Sequence, residues 1–240
     1  MQKIVNKGLI VATIGLLIYL SWYYMLYGMT MNMEPVATWS NADIALLFMM
    51  WAIMMAGMML PSALPVILLI NKINQQRRQH GTSYTPTIFF SMGYLIAWTI
   101  YSLIITFVQT WLHHLELLSP MMDSANSQFS AIILIAAGIY QFTPYKQQCL
   151  KLCRSPLSLL TSDWQEGIKG AIRLGLKHGS YCVGCCWFLM AILFVTGVMN
   201  LQWILILTLL VLVEKAAPKG DVIGKYLGCL LIIIGVIQLV

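Results

Sequence analysis

Long apolar runs separated by short polar connections dominate the chain. The seven runs lie at about 8–28, 43–71, 87–112, 129–143, 180–198, 201–217 and 222–240. An α-helix of about 20 apolar residues crosses the ~30 Å hydrocarbon core of a bilayer, and the run at 129–143 is the shortest candidate. The pattern therefore predicts an all-α, polytopic membrane bundle of about seven transmembrane helices, built as a single integral membrane domain over residues 1–240.

Composition supports this class of protein. Hydrophobic residues make up 60% of the chain and charged residues only 9%, whereas soluble domains carry about 25% charged residues. With the N-terminus in the cytoplasm, all 14 lysine and arginine residues fall on cytoplasmic segments. The positive-inside rule therefore predicts an N-in, C-out orientation in a bacterial inner membrane. The net charge of +6 is then a signal of topology, and no basic patch interleaved with aromatic residues favours a nucleic-acid partner.

The connection at about 144–178 is the longest one on the predicted cytoplasmic side. Pro144 ends the fourth helix, because proline lacks an amide hydrogen and clashes with the preceding turn. A short helix over 145–153 places Cys149 and Cys153 on one face at i, i+4 spacing. The rest of the connection mixes apolar and basic residues with a helical period, which predicts an amphipathic helix along the inner membrane surface.

A cluster of soft ligands lies at the predicted cytoplasmic mouth of the fifth helix. His178, Cys182, Cys185 and Cys186 share one helical face at 100° per residue. Thiolates and imidazole are ligands of copper(I), zinc and iron. Because three ligands from one helix rarely complete a coordination sphere, we expect the two cysteines of the connection to close a metal site.

Two other interpretations of the cysteines remain open. Cys182 and Cys185 have the spacing of a redox pair, which predicts a thiol–disulfide relay, although thiols facing the cytoplasm stay reduced. Buried cysteine is also a common small hydrophobic residue. That packing role is the simplest interpretation for Cys229, which is alone in the seventh helix.

The second helix carries methionines one turn apart. Met50, Met54 and Met58 repeat at i, i+4 and i+8. Thioethers are soft, uncharged ligands that suit copper(I), so this column predicts a ladder along which the ion enters. The competing interpretation is that methionine fills the core as a flexible side chain. Pro61 and Pro65 are expected to bend the inner half of this helix.

Two further features stay open on the sequence. Short matches between helices, such as Gly138-Ile-Tyr-Gln141 with Gly235-Val-Ile-Gln238, are compatible either with an inverted three-helix repeat or with chance. Glu214, about one turn from the inner end of the sixth helix, is either a functional group or a side chain that reaches the membrane surface.

The motifs together resemble a bacterial family known as predicted metal-binding integral membrane proteins. The resemblance covers about 45–220 and rests on Trp51-Ala-Ile-Met54-Met55-Ala-Gly-Met58-Met59-Leu-Pro61, Gly138-Ile-Tyr-Gln141-Phe-Thr-Pro144-Tyr-Lys146, Cys149-x-x-x-Cys153-Arg154-x-Pro156 and His178-Gly-x-x-Cys182-x-Gly-Cys185-Cys186-Trp187. It implies a membrane protein in which these residues act together at a metal site. It supplies no catalytic residues, and the chain has no nucleotide-binding glycine loop, GxSxG elbow or HExxH motif.

We therefore expect a protein that binds, and transports or delivers, a soft transition metal, with copper(I) favoured over zinc or iron. The expected ligands are Cys182, Cys185, Cys186, His178, Cys149 and Cys153, with Met50, Met54 and Met58 as the entry ladder. One alternative is a membrane thiol–disulfide oxidoreductase that uses Cys182 and Cys185. Another is an accessory or assembly subunit with a structural metal site. The expected partners are the bilayer, the metal ion, and a metallochaperone or a membrane partner protein.

Overall fold

The computed structural model describes residues 7–28, 40–80, 84–119, 126–155, 164 and 166–239. Within these ranges the repeating secondary structure is helical throughout, which confirms the all-α prediction. The helices are α1 (Lys7–Tyr23), α2 (Asn41–Gln79), α3 (Thr87–His114), α4 (Ser127–Phe142), α5 (Pro144–Arg154), α6 (Gly167–Ala191), α7 (Leu193–Thr196), α8 (Leu201–Ala216) and α9 (Gly220–Leu239). A π-helical turn over Tyr24–Gly28 follows α1 directly.

Local capping sets several helix starts. Ser40 and Asp43 form a capping box before α2, in which the Ser40 amide donates to the Asp43 carboxylate at 3.0 Å. Thr143 caps α5, and Pro144 occupies its first turn, where a missing amide hydrogen costs nothing. The Asn200 side chain accepts hydrogen bonds from the first amides of α8. The predicted break at Pro144 and the predicted short helix after it are both confirmed.

Five helices are long and apolar enough to cross a membrane, by length and composition. They are Lys7–Gly28, Asn41–Gln79, Thr87–His114, Gly167–Thr196 and Gly220–Leu239. The expectation of seven such helices is wrong by this measure, because α4 and α8 have 16 residues each. At 1.5 Å per residue each is about 24 Å long, which is less than the ~30 Å of a hydrocarbon core.

The connection over about 144–178 differs from the prediction in its second half. Its second half does not form a separate surface helix, because α6 is continuous from Gly167 to Ala191. Its buried face runs without interruption through Gly170, Leu174, His178, Cys182 and Cys185. The helix packs against α3 from Ile172 to Trp187. The segment expected at the membrane surface and the segment expected to span the membrane are therefore parts of one helix. Similarly, α2 continues through Pro61 and Pro65 to Gln79.

Glycines set the approach of α6 to α3. A Cβ atom at Gly175 would overlap the carbonyl oxygen of Phe90, and one at Gly179 would lie 2.6 Å from the Ala97 Cβ. Further along, the Tyr101 hydroxyl donates to the Trp187 carbonyl oxygen at 3.2 Å. Residue numbers rise together along both helices, so α3 and α6 run parallel with their backbones in contact.

A second glycine contact joins α4 to α9, which run antiparallel. Gly138 lies against Gly228 and Ile232, while Gly235 lies against Ile135. Gly228 therefore serves helix packing, as small residues do in membrane bundles, whereas Gly224 one turn earlier faces the Glu214 carboxylate of α8. The inverted repeat of three helices remains a prediction.

Tertiary contacts bring the basic helix ends together. The Arg77 guanidinium, at the end of α2, pairs with Glu166, just before α6, at 2.7 Å. The Arg154 guanidinium, at the end of α5, hydrogen-bonds the carbonyl oxygens of Ala217 and Pro218 after α8. These contacts tie the end of α2 to the start of α6, and the end of α5 to the chain just after α8.

Candidate metal centre

The helix α5 presents a cysteine-bearing face to α6. Its buried residues are Lys146, Cys149, Leu150 and Cys153, spaced at three or four positions as one helical face requires. Thr143 and Pro144 turn the chain directly from α4 into α5, so the position of α5 is fixed by the end of α4. Cys149 and Cys153 therefore share a face, as their spacing predicts.

The second group of donors lies on α6. His178, Cys182, Cys185 and Cys186 are each only 1% exposed. The thiol groups of Cys185 and Cys186 donate back to the Cys182 carbonyl oxygen, at 3.1 and 2.9 Å. These local bonds hold the Cys185 and Cys186 sulphurs beside the backbone of Cys182.

Cys153 joins α5 to this group. Its thiol lies within interaction range of the thiols of Cys182 and Cys185, and Cys186 lies near the same two. Those neighbouring thiols, together with burial, hold the pKa of Cys153 well above its ordinary value. We call Cys153, Cys182, Cys185 and Cys186 the thiol cluster. It unites four of the six cysteines in one buried space between two helices.

Cys149 lies beside the thiol cluster and not within it. Its Sγ packs against Gly184, where an added Cβ would come within 2.9 Å. The thiol hydrogen-bonds the Tyr145 hydroxyl, and burial raises the pKa of Cys149 above its ordinary value. Cys149 also lies within electrostatic range of Cys185. Gly184 and Tyr145 in turn line a surface groove of about 390 Å³ between α3 and α6.

Two residues that the sequence did not mark contact the centre of the cluster. The Lys215 ammonium on α8 donates to the Cys182 Sγ at 2.7 Å and to the Ser62 hydroxyl at 3.2 Å. The Tyr94 hydroxyl on α3 lies 3.1 Å from the Cys182 Sγ and donates to the Met59 carbonyl oxygen at 3.2 Å. For Lys215 the sequence offered a charge at the end of an apolar helix and the Glu214-Lys215 pair, which also fits the family resemblance, but neither marked it as a site residue; Tyr94 had no signal.

His178 is buried one helical turn before Cys182. Its ring lies between Phe90 and Tyr94, with ring centroids 5.9 and 5.8 Å away. Its Nδ1 has no hydrogen-bond partner although the atom is fully buried. A buried nitrogen without a partner is costly, and Cys182 and Cys185 lie within its electrostatic range. His178 is therefore a nitrogen donor held next to the thiols.

The methionine column lies in the core of the same bundle. Met50, Met54 and Met58 are each at most 1% exposed. The helix that carries them approaches the cluster only through other side chains. The Met59 carbonyl oxygen accepts a hydrogen bond from Tyr94, and the Ser62 hydroxyl accepts one from Lys215. Both Tyr94 and Lys215 contact Cys182. At 1.5 Å per residue, the column extends about 12 Å from Met58 to Met50 along α2, and Met58 is its end nearer to these contacts.

A buried ion pair holds α5 against α8. The Lys146 ammonium contacts the Glu214 carboxylate and the Gln141 side-chain oxygen, with side-chain exposures of 0% for Lys146 and 5% for Glu214. Glu214 therefore does not reach the membrane surface. It compensates a lysine on the helix that carries Cys149 and Cys153.

The donor set suits copper(I), but it is not preformed. Within the described ranges, no three His, Cys, Asp or Glu side chains stand in the arrangement of a finished metal site. The thiols of Cys185 and Cys186 instead bond to a backbone carbonyl, and an ammonium group occupies the position beside Cys182. Four soft sulphurs, nearby thioethers and a nitrogen without a partner fit a soft, monovalent ion better than a hard one.

Comparison with known proteins places most of the chain in a described family. The family model PpoB2, described as a copper chaperone, matches residues 48–238. The matched range contains every residue expected to hold the metal. It bears out the expectation of a metal-related protein and favours copper over zinc and iron. No curated protein and no solved structure is detectably similar to the chain.

Proposed function

Because the chain belongs to the PpoB2 family of copper chaperones, we propose that it binds copper(I) at the thiol cluster inside a membrane and passes the ion to a partner protein. The observation that carries this proposal is the meeting of Cys153 with Cys182 and Cys185. Two consecutive helices of the described chain, α5 and α6, supply soft ligands to one buried point. Two or three thiolates are a typical environment for copper(I).

Binding takes place by exchange of protons for the metal. Copper(I) coordinates thiolates, so each cysteine that becomes a ligand releases its proton. Rotation of the Cys185 and Cys186 side chains away from the Cys182 carbonyl frees both sulphurs for the ion. His178 and Cys149 are neighbouring donors that can replace one cluster thiolate as a ligand while the ion enters or leaves.

The path through the protein follows the soft ligands. We assign entry to the column of Met50, Met54 and Met58, since uncharged thioethers exchange copper(I) without moving protons. We assign handover to Cys149, because it alone of the α5 and α6 cysteines lies next to the surface groove at Gly184 and Tyr145. The partner that receives the ion approaches from that side.

The setting of the site is a bacterial inner membrane. Five membrane-length helices and the restriction of lysine and arginine to alternate connections of the sequence support this placement. In that orientation the N-terminus and the thiol cluster face the cytoplasmic side. A fusion of a reporter to each terminus, active only in one compartment, tests the N-in, C-out orientation.

The decisive experiment measures the copper content of protein purified in detergent under anaerobic, reducing conditions. Wild-type protein is expected to hold copper(I) in stoichiometric amount, and the Cys182→Ser/Cys185→Ser variant is expected to lose it. Cys229→Ser is the matched control, because that cysteine is exposed and lies on α9. Equal copper content in the wild type and the double variant would overturn the proposal.

A thiol–disulfide oxidoreductase is the second candidate, favoured by one contact. The Lys215 ammonium beside the Cys182 sulphur stabilises a thiolate, and a stabilised thiolate is also the nucleophile of redox cysteines. Thiol trapping in cells separates the two candidates. A relay yields a mixture of reduced and oxidised Cys182–Cys185, whereas a copper chaperone keeps both reduced.

The remaining alternative is an accessory or assembly subunit with a structural metal site. It predicts a bound metal that chelators remove only by unfolding the protein.

A further inference from the structure

Building on the proposed copper site, we infer that Lys215 makes the thiol cluster selective for a monovalent ion. Its ammonium group is the fixed positive charge that offsets the negative charge of a copper(I)–thiolate complex. The residue would stay beside the site after loading, next to Cys182 and not among the ligands.

The position of Lys215 is suited to this role. Its Nζ lies 2.7 Å from the Cys182 Sγ and within electrostatic range of the other three thiols of the cluster. The Ser62 hydroxyl receives a second hydrogen bond from the same ammonium group at 3.2 Å. These two bonds aim the charge from α8 into the space between α5 and α6.

The charge of Lys215 is not cancelled by a carboxylate. The adjacent residue Glu214 contacts Lys146 from α5, so that pair is neutral as a unit. Among the residues that the structure describes, the ion pairs are Arg77–Glu166, Lys146–Glu214 and Arg154–Asp221, and none includes Lys215. A net positive charge therefore faces four sulphurs in an apolar surrounding, where its effect is strong.

The consequence for selectivity follows from charge alone. Copper(I) bound by n thiolates has a net charge of 1 − n, and a divalent ion in the same ligands has 2 − n. With the same thiolates bound, the copper(I) complex is one unit more negative, so a neighbouring cation stabilises it more than the divalent complex. This difference is the same for any number of thiolates that both ions share, and the state of the metal-free site cancels from the ratio of the two affinities.

The test compares the affinity of each variant for copper(I) and for cadmium(II), a soft divalent ion that also binds thiolates. Full-length Lys215→Met, Lys215→Gln and Lys215→Arg proteins are purified with the wild type under reducing, anaerobic conditions. Copper(I) affinity is measured by competition with a chromogenic copper(I) chelator, and cadmium(II) affinity by competition with a fluorescent chelator. Lys225→Met, which removes an exposed lysine on α9, is the control.

The ratio of the two affinities decides the inference. Both neutral variants are expected to lower the preference for copper(I) over cadmium(II) by about tenfold or more. Lys215→Arg and Lys225→Met are expected to keep the wild-type ratio. An unchanged ratio in the neutral variants, or an equal loss of both affinities, would overturn it, since a merely structural role affects both ions alike. A wild type that binds no copper(I) would instead overturn the proposed function.

Discussion

The Lys146 ammonium and the Glu214 carboxylate form an ion pair that water hardly reaches. The pair joins α5, which carries Cys149 and Cys153, to α8, which carries Lys215 next to Glu214. Arg154, at the other end of α5, hydrogen-bonds the backbone just after α8. The cysteine helix is thus fastened at both ends to the helix that supplies the positive charge of the site.

Removal of one partner of this pair should destabilise the protein strongly. Glu214→Gln leaves the Lys146 ammonium buried without a counter-charge, at a cost of about 3–5 kcal/mol. The Lys146→Met/Glu214→Leu double variant should recover most of that loss, because no charge is left behind. Thermal unfolding in detergent, followed by circular dichroism, measures both. The exposed pair Arg77–Glu166 supplies the control, since Glu166→Gln should change stability little.

Cys153 and Cys149 should separate binding from transfer. Cys153→Ser removes a member of the thiol cluster and should weaken copper(I) affinity at least about tenfold, since changes even to the outer-shell partners of metal ligands cost this much. Cys149→Ser should leave affinity nearly unchanged but slow the transfer of copper(I) to a soluble thiol acceptor. Chelator competition and the rate of transfer distinguish the two variants. If the two substitutions changed copper(I) affinity and transfer rate equally, the assignment of binding to Cys153 and of transfer to Cys149 would be wrong.

The methionine column should govern how fast the site fills. Leucine at Met50, Met54 and Met58 together conserves apolar volume, so the fold should persist at a cost near 1 kcal/mol per residue or less. Final copper stoichiometry should equal that of the wild type, and the loading rate should fall. Met49→Leu is the control, because Met49 is 50% exposed on the same helix. A triple variant that loads as fast as the wild type would leave the column with a packing role only.

The contact between α3 and α6 should tolerate no added methyl group at its centre. Gly175→Ala places a Cβ against the Phe90 carbonyl oxygen. Separation of the two backbones should cost more than about 1–3 kcal/mol, and it should displace Tyr94 from Cys182. Gly15→Ala is the matched control, because no atom lies within 4 Å of its added Cβ. Thermal unfolding of both variants, compared with the wild type, checks this prediction.

Much of the local architecture could be read from the chain. The break at Pro144, the short helix bearing Cys149 and Cys153, and the shared face of His178 and Cys182 all follow from helical period and from proline chemistry. The predicted start of the fifth apolar helix was wrong for a physical reason. Hydropathy marks where lipid would surround a helix, but neighbouring helices also bury polar stretches, so α6 begins at Gly167 and not near residue 180.

The sequence by itself determined the soft ligand types and the helical faces that present them, because both depend on residues a few positions apart. Only the tertiary structure decided that Cys153 enters the thiol cluster while Cys149 lies beside it, and that Lys215 and Tyr94 meet at Cys182. These contacts join residues from 29 to 88 positions apart. They depend on the approach and register of packed helices, set by glycines such as Gly175, and a hydrophobic period along one helix does not encode them.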